Sequence, residues 1–290
     1  MDTKELLKKV KTIEIRTRGL SKQVFSGNYH AAFKGKGMTF SEVKDYQFGD
    51  DVRNIDWNVT ARFNDTYVKV FEEERELNVL LILDISGSQF FGSRGHSKRA
   101  LLVEVAAVLA FSAVANNDKV GAIFVSDKVE QYIPPKKGRS HAMVILRTLI
   151  DFQMTERSTK LSEGLKVLTA LTKKRCIAFL LSDFIDQHDF LTPLKIASRK
   201  HDFVALQLTD AAEEELPNIG LVQMIDAESQ QKFWVNTSSE TVRENHRLQY
   251  QKRKKELQTE MRKCGVDLAE LSTDGTYINE LSYLFNRRRK

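Results

Sequence analysis

Apolar runs alternate with helical stretches along most of this chain. The longest runs have no polar alternation, which is typical of strands buried on both faces of a sheet. They lie at residues 78–83, 120–125, 176–181 and 203–208, with shorter strands predicted at 129–133 and 266–271. Helical periodicity is found at residues 97–115, 141–152, 162–171, 190–198, 241–263 and 277–286. This alternation predicts an α/β fold with a doubly wound, mostly parallel sheet covered on both faces.

Two parts of the chain depart from the alternation. Residues 221–225 and 232–236 flank a polar turn and predict a small β-hairpin insertion at about 220–236. Residues 1–76 contain a short charged helix at 3–10 and one half-buried strand at 67–71. We therefore predict an N-terminal segment, residues 1–76, packed on a sheet domain formed by residues 77–290. Pro134 and Pro135 are expected to end the strand at 129–133.

Composition limits the class of protein. Hydrophobic residues make up 41% of the 290 residues, which is enough for a sizeable core. The two cysteines, Cys176 and Cys264, exclude a disulfide scaffold and a cysteine-based zinc module and suit a reducing compartment. No apolar run is long enough to span a membrane, and the N-terminus lacks the apolar centre of a secretory signal. We expect a cytoplasmic protein.

The net charge of +6 is concentrated near the end of the chain. Residues 243–263 carry eight Lys or Arg against three Glu, and residues 287–290 are all basic. Contact with nucleic acid or another acidic surface, including peripheral contact with a membrane, is one interpretation. A solvated helix face is favoured, because the glutamates intersperse the basic charge and no aromatic ladder accompanies it. We expect no nucleic-acid partner.

Candidate chemistry follows the first buried strand. Asp84, Ser86 and Ser88 lie two residues apart in one strand-to-helix loop. Asp183 follows another buried strand, and Thr159 precedes a helix. Oxygen ligands at the carboxyl ends of parallel strands suit a hard divalent cation. The alternative is that these residues only cap helices and close turns, as Asp and Ser often do.

Other chemistries match less well. Gly87 and Gly92 have the spacing of a phosphate-binding loop, but Ser93 and Arg94 follow where that motif needs Lys and Ser or Thr. Phosphatases of the haloacid dehalogenase type need a second aspartate where this chain has Ser86. A metal-dependent hydrolase that uses Asp84 and Asp183 remains the alternative function.

The loop residues resemble the metal-ion-dependent adhesion site of von Willebrand factor type A domains. Its pattern Asp-x-Ser-x-Ser is matched by Asp84, Ser86 and Ser88, its later Thr by Thr159 and its last Asp by Asp183. Arg157-Ser158 stand where the family usually has Gly-Gly. The resemblance implies Mg²⁺, or another divalent cation such as Mn²⁺ or Ca²⁺. The three hydroxyls would bind the ion directly, the two aspartates mostly through water, and one position would stay open for a partner's carboxylate.

The N-terminal part is similar to the domain of unknown function 58 family. The similarity is carried by residues 33–40 and 45–62, including Tyr46-Gln-Phe-Gly-Asp-Asp51 and Ile55-Asp-Trp-Asn58, ahead of a type A domain. It implies a non-enzymatic protein-interaction module that acts with a MoxR-type AAA+ ATPase, or with its client, in protein assembly or remodelling.

The same stretch holds a second set of candidate residues. Its acidic residues are expected to pair with Arg53 and Arg62, and its tryptophan to anchor the segment on the sheet domain. The alternative is a docking face for a partner. The set consists of Asp50, Asp51, Arg53, Asp56, Trp57 and Arg62.

Overall fold

The computed structural model describes residues 39–63, 65–72, 77–90, 92, 97–152, 159–225, 232–274 and 277–289. The helix predicted at 3–10, residues 33–38 of the family stretch, Arg157-Ser158 and the hairpin turn at 226–229 lie outside the described residues. The chain divides into two compact units, and each is described by itself. The smaller is Lys34–Leu77, and the larger contains Asn78–Lys290.

The smaller unit is built on two antiparallel strands. β1 (Thr39–Asp45) pairs with β2 (Tyr67–Glu72), with an irregularity in register near Phe40. A 3-10 turn (Val52–Asn54) and the short helix α1 (Trp57–Phe63) connect them. The strand predicted at residues 67–71 is therefore present.

A six-stranded sheet forms the centre of the larger unit. Its strands are β3 (Asn78–Asp84), β4 (Lys119–Val125), β5 (Val129–Lys136), β6 (Ile177–Ser182), β7 (Asp202–Thr209) and β10 (Asp267–Ser272). They lie in the order β10-β7-β6-β3-β4-β5, and every neighbouring pair is parallel except β4 with β5. The predicted α/β fold with a mostly parallel sheet is confirmed.

Helices connect these strands. The larger unit contains α2 (Lys98–Ala115), α3 (Arg139–Asp151), α4 (Leu161–Leu171), α5 (Leu191–Lys200), α6 (Ala211–Glu214), α7 (Glu240–Lys263) and α8 (Tyr277–Arg289). The hairpin of β8 (Leu221–Ile225) and β9 (Lys232–Asn236) precedes α7, as predicted. Within the described part of the chain, no helix is both long enough and apolar enough to cross a membrane.

The four central strands β3, β4, β6 and β7 are buried on both faces, which explains why they lack polar alternation. Successive strand residues point to opposite faces. Leu80 and Ile82 of β3 belong to a core cluster with residues of α4, α5 and α7. On β6, Phe179 makes an edge-to-face contact with Phe285 of α8. A strand covered in this way has no solvated side that would favour polar residues.

The expected end of the strand at residues 129–133 is wrong. β5 continues through Pro134 and Pro135 to Lys136. The strand lies at the edge of the described sheet, beside β4, so prolines without an N–H are tolerated there. The register shifts opposite Gly121, where an added Cβ would lie 2.7 Å from the carbonyl oxygen of Ile133. Glycine is required at this position because the edge strand comes so close.

Candidate metal centre

Two aspartates lie where the strand order of the sheet reverses. Asp84 is the last residue of β3, and Asp183 directly follows β6, its parallel neighbour. The chain continues from β3 to β4 and β5 on one side, and to β6, β7 and β10 on the other. In open α/β sheets this switch point forms a crevice beyond the carboxyl ends of the strands. The crevice is the place where ligands bind in this class of fold.

The loop after β3 folds around its own aspartate. The backbone N–H of Ser86 donates to Asp84 Oδ1 at 3.0 Å, the local turn that Asp favours. The hydroxyl oxygens of Ser86 and Ser88 lie 3.1 Å apart. All three side chains are buried. The sequence motif thus places two hydroxyls and one carboxylate together inside the protein.

Asp84 is a carboxyl group without access to solvent. Ser182 donates its hydroxyl to Asp84 Oδ2 at 2.5 Å, and Gln89 Nε2 lies 3.5 Å from the same oxygen. Burial, followed by the charge of Asp183, raises the pKa of Asp84 to about 6, although hydrogen bonds from Ser182 and Ser86 act in the opposite direction. The carboxylate of Asp183 is therefore close enough to oppose the ionisation of Asp84.

Thr159 lies at the same edge of the sheet. The next residue, Lys160, donates its N–H to the carbonyl oxygen of Ser126 at the end of β4, and Leu161 donates its N–H to Asp186 Oδ2 in the loop after β6. These bonds tie the segment to the loops on both sides of β3. Thr159 Oγ1 is buried and has no hydrogen-bond partner among the described residues. A buried hydroxyl in this state is normally satisfied by a water molecule or an ion.

Close helix packing holds this segment in place. Gly164, in the first turns of α4, has so little room that an added Cβ would lie 2.5 Å from Val125 Cγ2 and 3.3 Å from Ile82 Cγ2. The helix therefore rests directly on the last residues of β3 and β4. A larger side chain would push α4 away and move Thr159 from the strand ends.

Lys98 is a member of this region that the sequence prediction missed. It is the first residue of α2 and is completely buried. Its ammonium donates to Asp183 Oδ2 at 2.7 Å and to Glu213 Oε1 of α6 at 2.5 Å. Burial alone would lower the pKa of Lys98, but the two carboxylates outweigh it and raise the pKa above its usual value. Burial raises the pKa of Glu213, against the influence of Lys98.

One sequence signal pointed to Lys98. A cation in the first turn of a helix lies at the positive end of the helix dipole, where positive charge is disfavoured. Lys98 starts a helix whose only other charged residues are Arg99 and Glu104, and an acidic partner would offset the unfavourable position of its charge. The sequence alone could not name that partner, because Asp183 and Glu213 are 85 and 115 positions away along the chain.

The donor set fits a hard divalent cation. Octahedral Mg²⁺ binds oxygens at about 2.1 Å, which puts neighbouring ligand atoms about 3 Å apart, and the hydroxyls of Ser86 and Ser88 have this separation. Thr159 supplies the unsatisfied oxygen, and Asp84 and Asp183 supply negative charge. Nowhere in the described ranges do three or more His, Cys, Asp or Glu side chains form a metal-binding group, so the candidate depends on its hydroxyls.

The second candidate set, in the smaller unit, consists of surface ion pairs. Asp51 pairs with Arg53 as expected. The prediction that arginines pair with Asp50 and Asp56 is wrong, because Asp50 pairs with Lys44 and Asp56 with Lys69. These lysines extend from the neighbouring β1 and β2 strands.

Trp57 and Arg62, the remaining members of that set, lie at the start and in the last turn of α1. The indole of Trp57 is 69% exposed. Arg62 is also exposed.

The basic helix and tail differ from each other. In α7 most side chains are exposed, and Arg247, Lys254 and Lys263 pair with glutamates. In the tail, Arg288 pairs with Asp202 and Asp267 at the starts of β7 and β10. Part of the tail therefore has a structural role in the sheet.

Two solved structures resemble the chain in fold. A conserved hypothetical protein, BatB from Bacteroides thetaiotaomicron, has a TM-score of 0.48 at 14% identity, covering 73% of this chain and 98% of its own. The SpRpn10 VWA domain has a TM-score of 0.39 at 10% identity, covering 73% and 95%.

Sequence comparison gives a relative over the full length. The uncharacterized protein Rv1480 of Mycobacterium tuberculosis is 28% identical over 294 residues, which cover 100% of this chain and 92% of the relative. The model of the family described as "Protein of unknown function DUF58" matches residues 42–256. That match includes Asp84, Asp183, Lys98 and the ion pairs of the smaller unit, and the chain belongs to this family.

Proposed function

We propose that this chain is a non-enzymatic protein-interaction module whose contact with its partner depends on a divalent cation. The carrying observation is the group of buried oxygens at the switch point of the sheet, with Thr159 Oγ1 unsatisfied. A buried polar atom without a partner is costly in free energy. A cation at the strand ends would satisfy Thr159 Oγ1, and Ser86, Ser88 and the two aspartates would offer further oxygens to it.

The residues have separate tasks in this proposal. Ser86, Ser88 and Thr159 would bind Mg²⁺ through their hydroxyls, and Asp84 and Asp183 would balance its charge, mostly through water. When bound, the ion supplies a coordination position that an acidic side chain of a partner can fill, a charge-assisted contact. Neutral hydroxyl ligands favour such a contact because they leave most of the ion's charge available to the partner.

The partner in this proposal is a MoxR-type AAA+ ATPase or its client. Support comes from family membership, shown over residues 42–256, and from the resemblance of the sequence to that family. The chain contributes a binding site, and the ATPase would supply the energy for assembly or remodelling of proteins.

One observation favours the alternative, a metal-dependent hydrolase. A carboxyl with a pKa of about 6, such as Asp84, is of the kind that acid–base catalysis uses. Against this, the side chain of Asp84 is completely buried and already accepts bonds from Ser182 and from Ser86 N–H. A general acid must reach the reacting group, and this one faces the protein.

A binding experiment tests the proposal. The purified chain is immobilised, and binding of the MoxR-type ATPase from the same organism is measured in Mg²⁺ and in EDTA. We expect EDTA and Ser86→Ala each to weaken binding at least tenfold, because both remove the ion or one of its ligands. Ser126→Ala is the matched control, since Ser126 is a buried serine at the end of neighbouring β4 that bonds to Asp127 and Glu130 instead.

The outcomes separate the two functions. ATPase binding that is unchanged in EDTA and in Ser86→Ala would move the interface elsewhere, and the exposed residues around Trp57 would be examined next. Hydrolysis of phosphate or carboxylate esters in Mg²⁺ or Mn²⁺, abolished by Asp84→Asn, would establish the hydrolase instead.

A further inference from the structure

The buried ammonium of Lys98 lies among carboxylates. Asp84, Asp183 and Glu213 contribute three acidic groups, and Lys98 is in direct contact with the last two. The side chains of Lys98 and Asp183 have relative exposures of 0% and 2%. Among the residues that the structure describes, one ammonium lies here beside three acidic groups, and this imbalance favours a further cation.

Both carboxylate oxygens of Asp183 already accept hydrogen bonds. Its Oδ1 accepts the N–H of Ile185 at 3.2 Å, and its Oδ2 accepts from Lys98. The neighbouring Asp84 uses Oδ1 for Ser86 N–H and Oδ2 for Ser182. A divalent cation that draws on Asp183, directly or through a water molecule, must therefore share this carboxylate with Lys98. The two positive charges repel each other, so the ammonium opposes the binding of the ion.

Glu213 gives Lys98 a second position. Its Oε1 lies 2.5 Å from the ammonium, so Lys98 keeps an ion pair when Asp183 turns to another cation. Glu213 is held by a capping box in which Asp210 N–H donates to the other carboxylate oxygen, Oε2, at 3.2 Å. The ammonium thus lies between an acceptor at the strand ends and a fixed acceptor on α6.

We infer that Lys98 is an internal counter-ion that competes with the divalent cation for Asp183 and thereby sets the metal affinity of the centre. The inference rests on the proposed function, because it concerns the same site. It assigns a role to two residues, Lys98 and Glu213, that lie outside the predicted ligand set. Lys98 weakens metal binding by occupying Asp183, and Glu213 strengthens it by drawing Lys98 away.

Two substitutions should therefore change metal affinity in opposite directions. Calorimetric titration of the full chain with MgCl2 measures the dissociation constant. Lys98→Met removes the competing charge and should tighten Mg²⁺ binding about tenfold or more. Glu213→Gln leaves Lys98 with Asp183 as its charged partner and should weaken binding about tenfold. Lys254→Met is the control, because Lys254 pairs with Glu270 on the surface and should leave the affinity unchanged.

The two variants keep the test decisive if one does not fold. Circular dichroism checks each variant first, and where Lys98→Met is unfolded, the comparison of Glu213→Gln with the native chain decides. If the native chain binds Mg²⁺ and neither folded variant changes the dissociation constant by more than twofold, the inference is overturned. The proposed function is not affected by that result.

If Mg²⁺ binds to Lys98→Met but not to the native chain, the competition is supported. The native chain then has no metal site under these conditions, and the proposed function is overturned. No binding in any of the folded proteins overturns both.

Discussion

Two sets of charged side chains in this molecule use the same chemistry in opposite surroundings. At the strand ends of the larger unit, Lys98 pairs with Asp183 and Glu213 inside the protein. In the smaller unit, Arg53 pairs with Asp51 on the surface, where the side chains are 86% and 44% exposed. Solvent screens the surface pair, whereas burial makes each charge of the inner set depend on its partner.

The pKa directions show the same contrast. A side-chain hydrogen bond from Arg53 lowers the pKa of Asp51, as an exposed partner of opposite charge should. Burial raises the pKa of Asp84 to about 6, because no bulk water stabilises its charge. A nearby cation thus favours the ionised form of the exposed Asp51, whereas burial and the charge of Asp183 disfavour the ionised form of Asp84.

The largest expected difference between the two sets is in stability. Lys98→Met leaves two buried carboxylates without their ammonium, and we expect a loss of about 3–5 kcal/mol in the free energy of unfolding. Urea unfolding in EDTA, followed by circular dichroism, measures it. Lys44→Met, which removes the exposed partner of Asp50, serves as the control and should leave the midpoint almost unchanged. Equal losses in the two variants would remove the distinction between the sets.

Asp84 should make stability depend on pH in the absence of metal. Its pKa in the folded state, about 6, lies above the ordinary 3.8, so folding favours the protonated form. Its contribution is present below pH 3.8 and is lost as the pH rises through 6, on the order of 1–3 kcal/mol. Unfolding of the native chain and of Asp84→Asn in EDTA from pH 4 to 7.5 should show this loss as a changing difference. A constant difference would contradict it.

His201 should give a pH dependence of the opposite sign. Burial lowers its pKa to about 4, and Lys200 and Arg175 add to the effect. The contribution of the neutral imidazole is present above pH 6.5 and is lost as the pH falls through 4, by ~1–2 kcal/mol. The difference in unfolding free energy between the native chain and His201→Phe should shrink or reverse over that range. Both proteins retain Asp84, so its titration cancels in the comparison.

The smallest effect is expected at the surface. Asp51→Asn removes the carboxylate that pairs with Arg53, but both groups are exposed and water replaces the contact. Thermal unfolding at neutral pH should match that of the native chain within error. A clear fall in the melting temperature would show that this pair has a structural role that its exposure does not suggest.

Much of the fold could be predicted from the sequence, because a strand that is buried on both faces is an uninterrupted run of apolar residues. Strands such as β3 and β6 consist almost entirely of apolar residues, and the helices between them have helical periodicity. The end of β5 could not be predicted in this way. A proline ends a central strand but is tolerated at an edge, and only the strand order shows which strand is the edge.

In the candidate metal centre, too, some residues could be placed from the sequence and others could not. Asp84, Ser86 and Ser88 lie together because they are close in sequence and follow a buried strand, so their local arrangement was determined by the sequence itself. Only the tertiary structure decided that Lys98 meets Asp183 and Glu213. These contacts span 85 and 115 positions and depend on how α2 and α6 pack at the strand ends. Local spacing sets which atoms are neighbours within a loop, whereas the charge balance of a buried site depends on every element that closes over it.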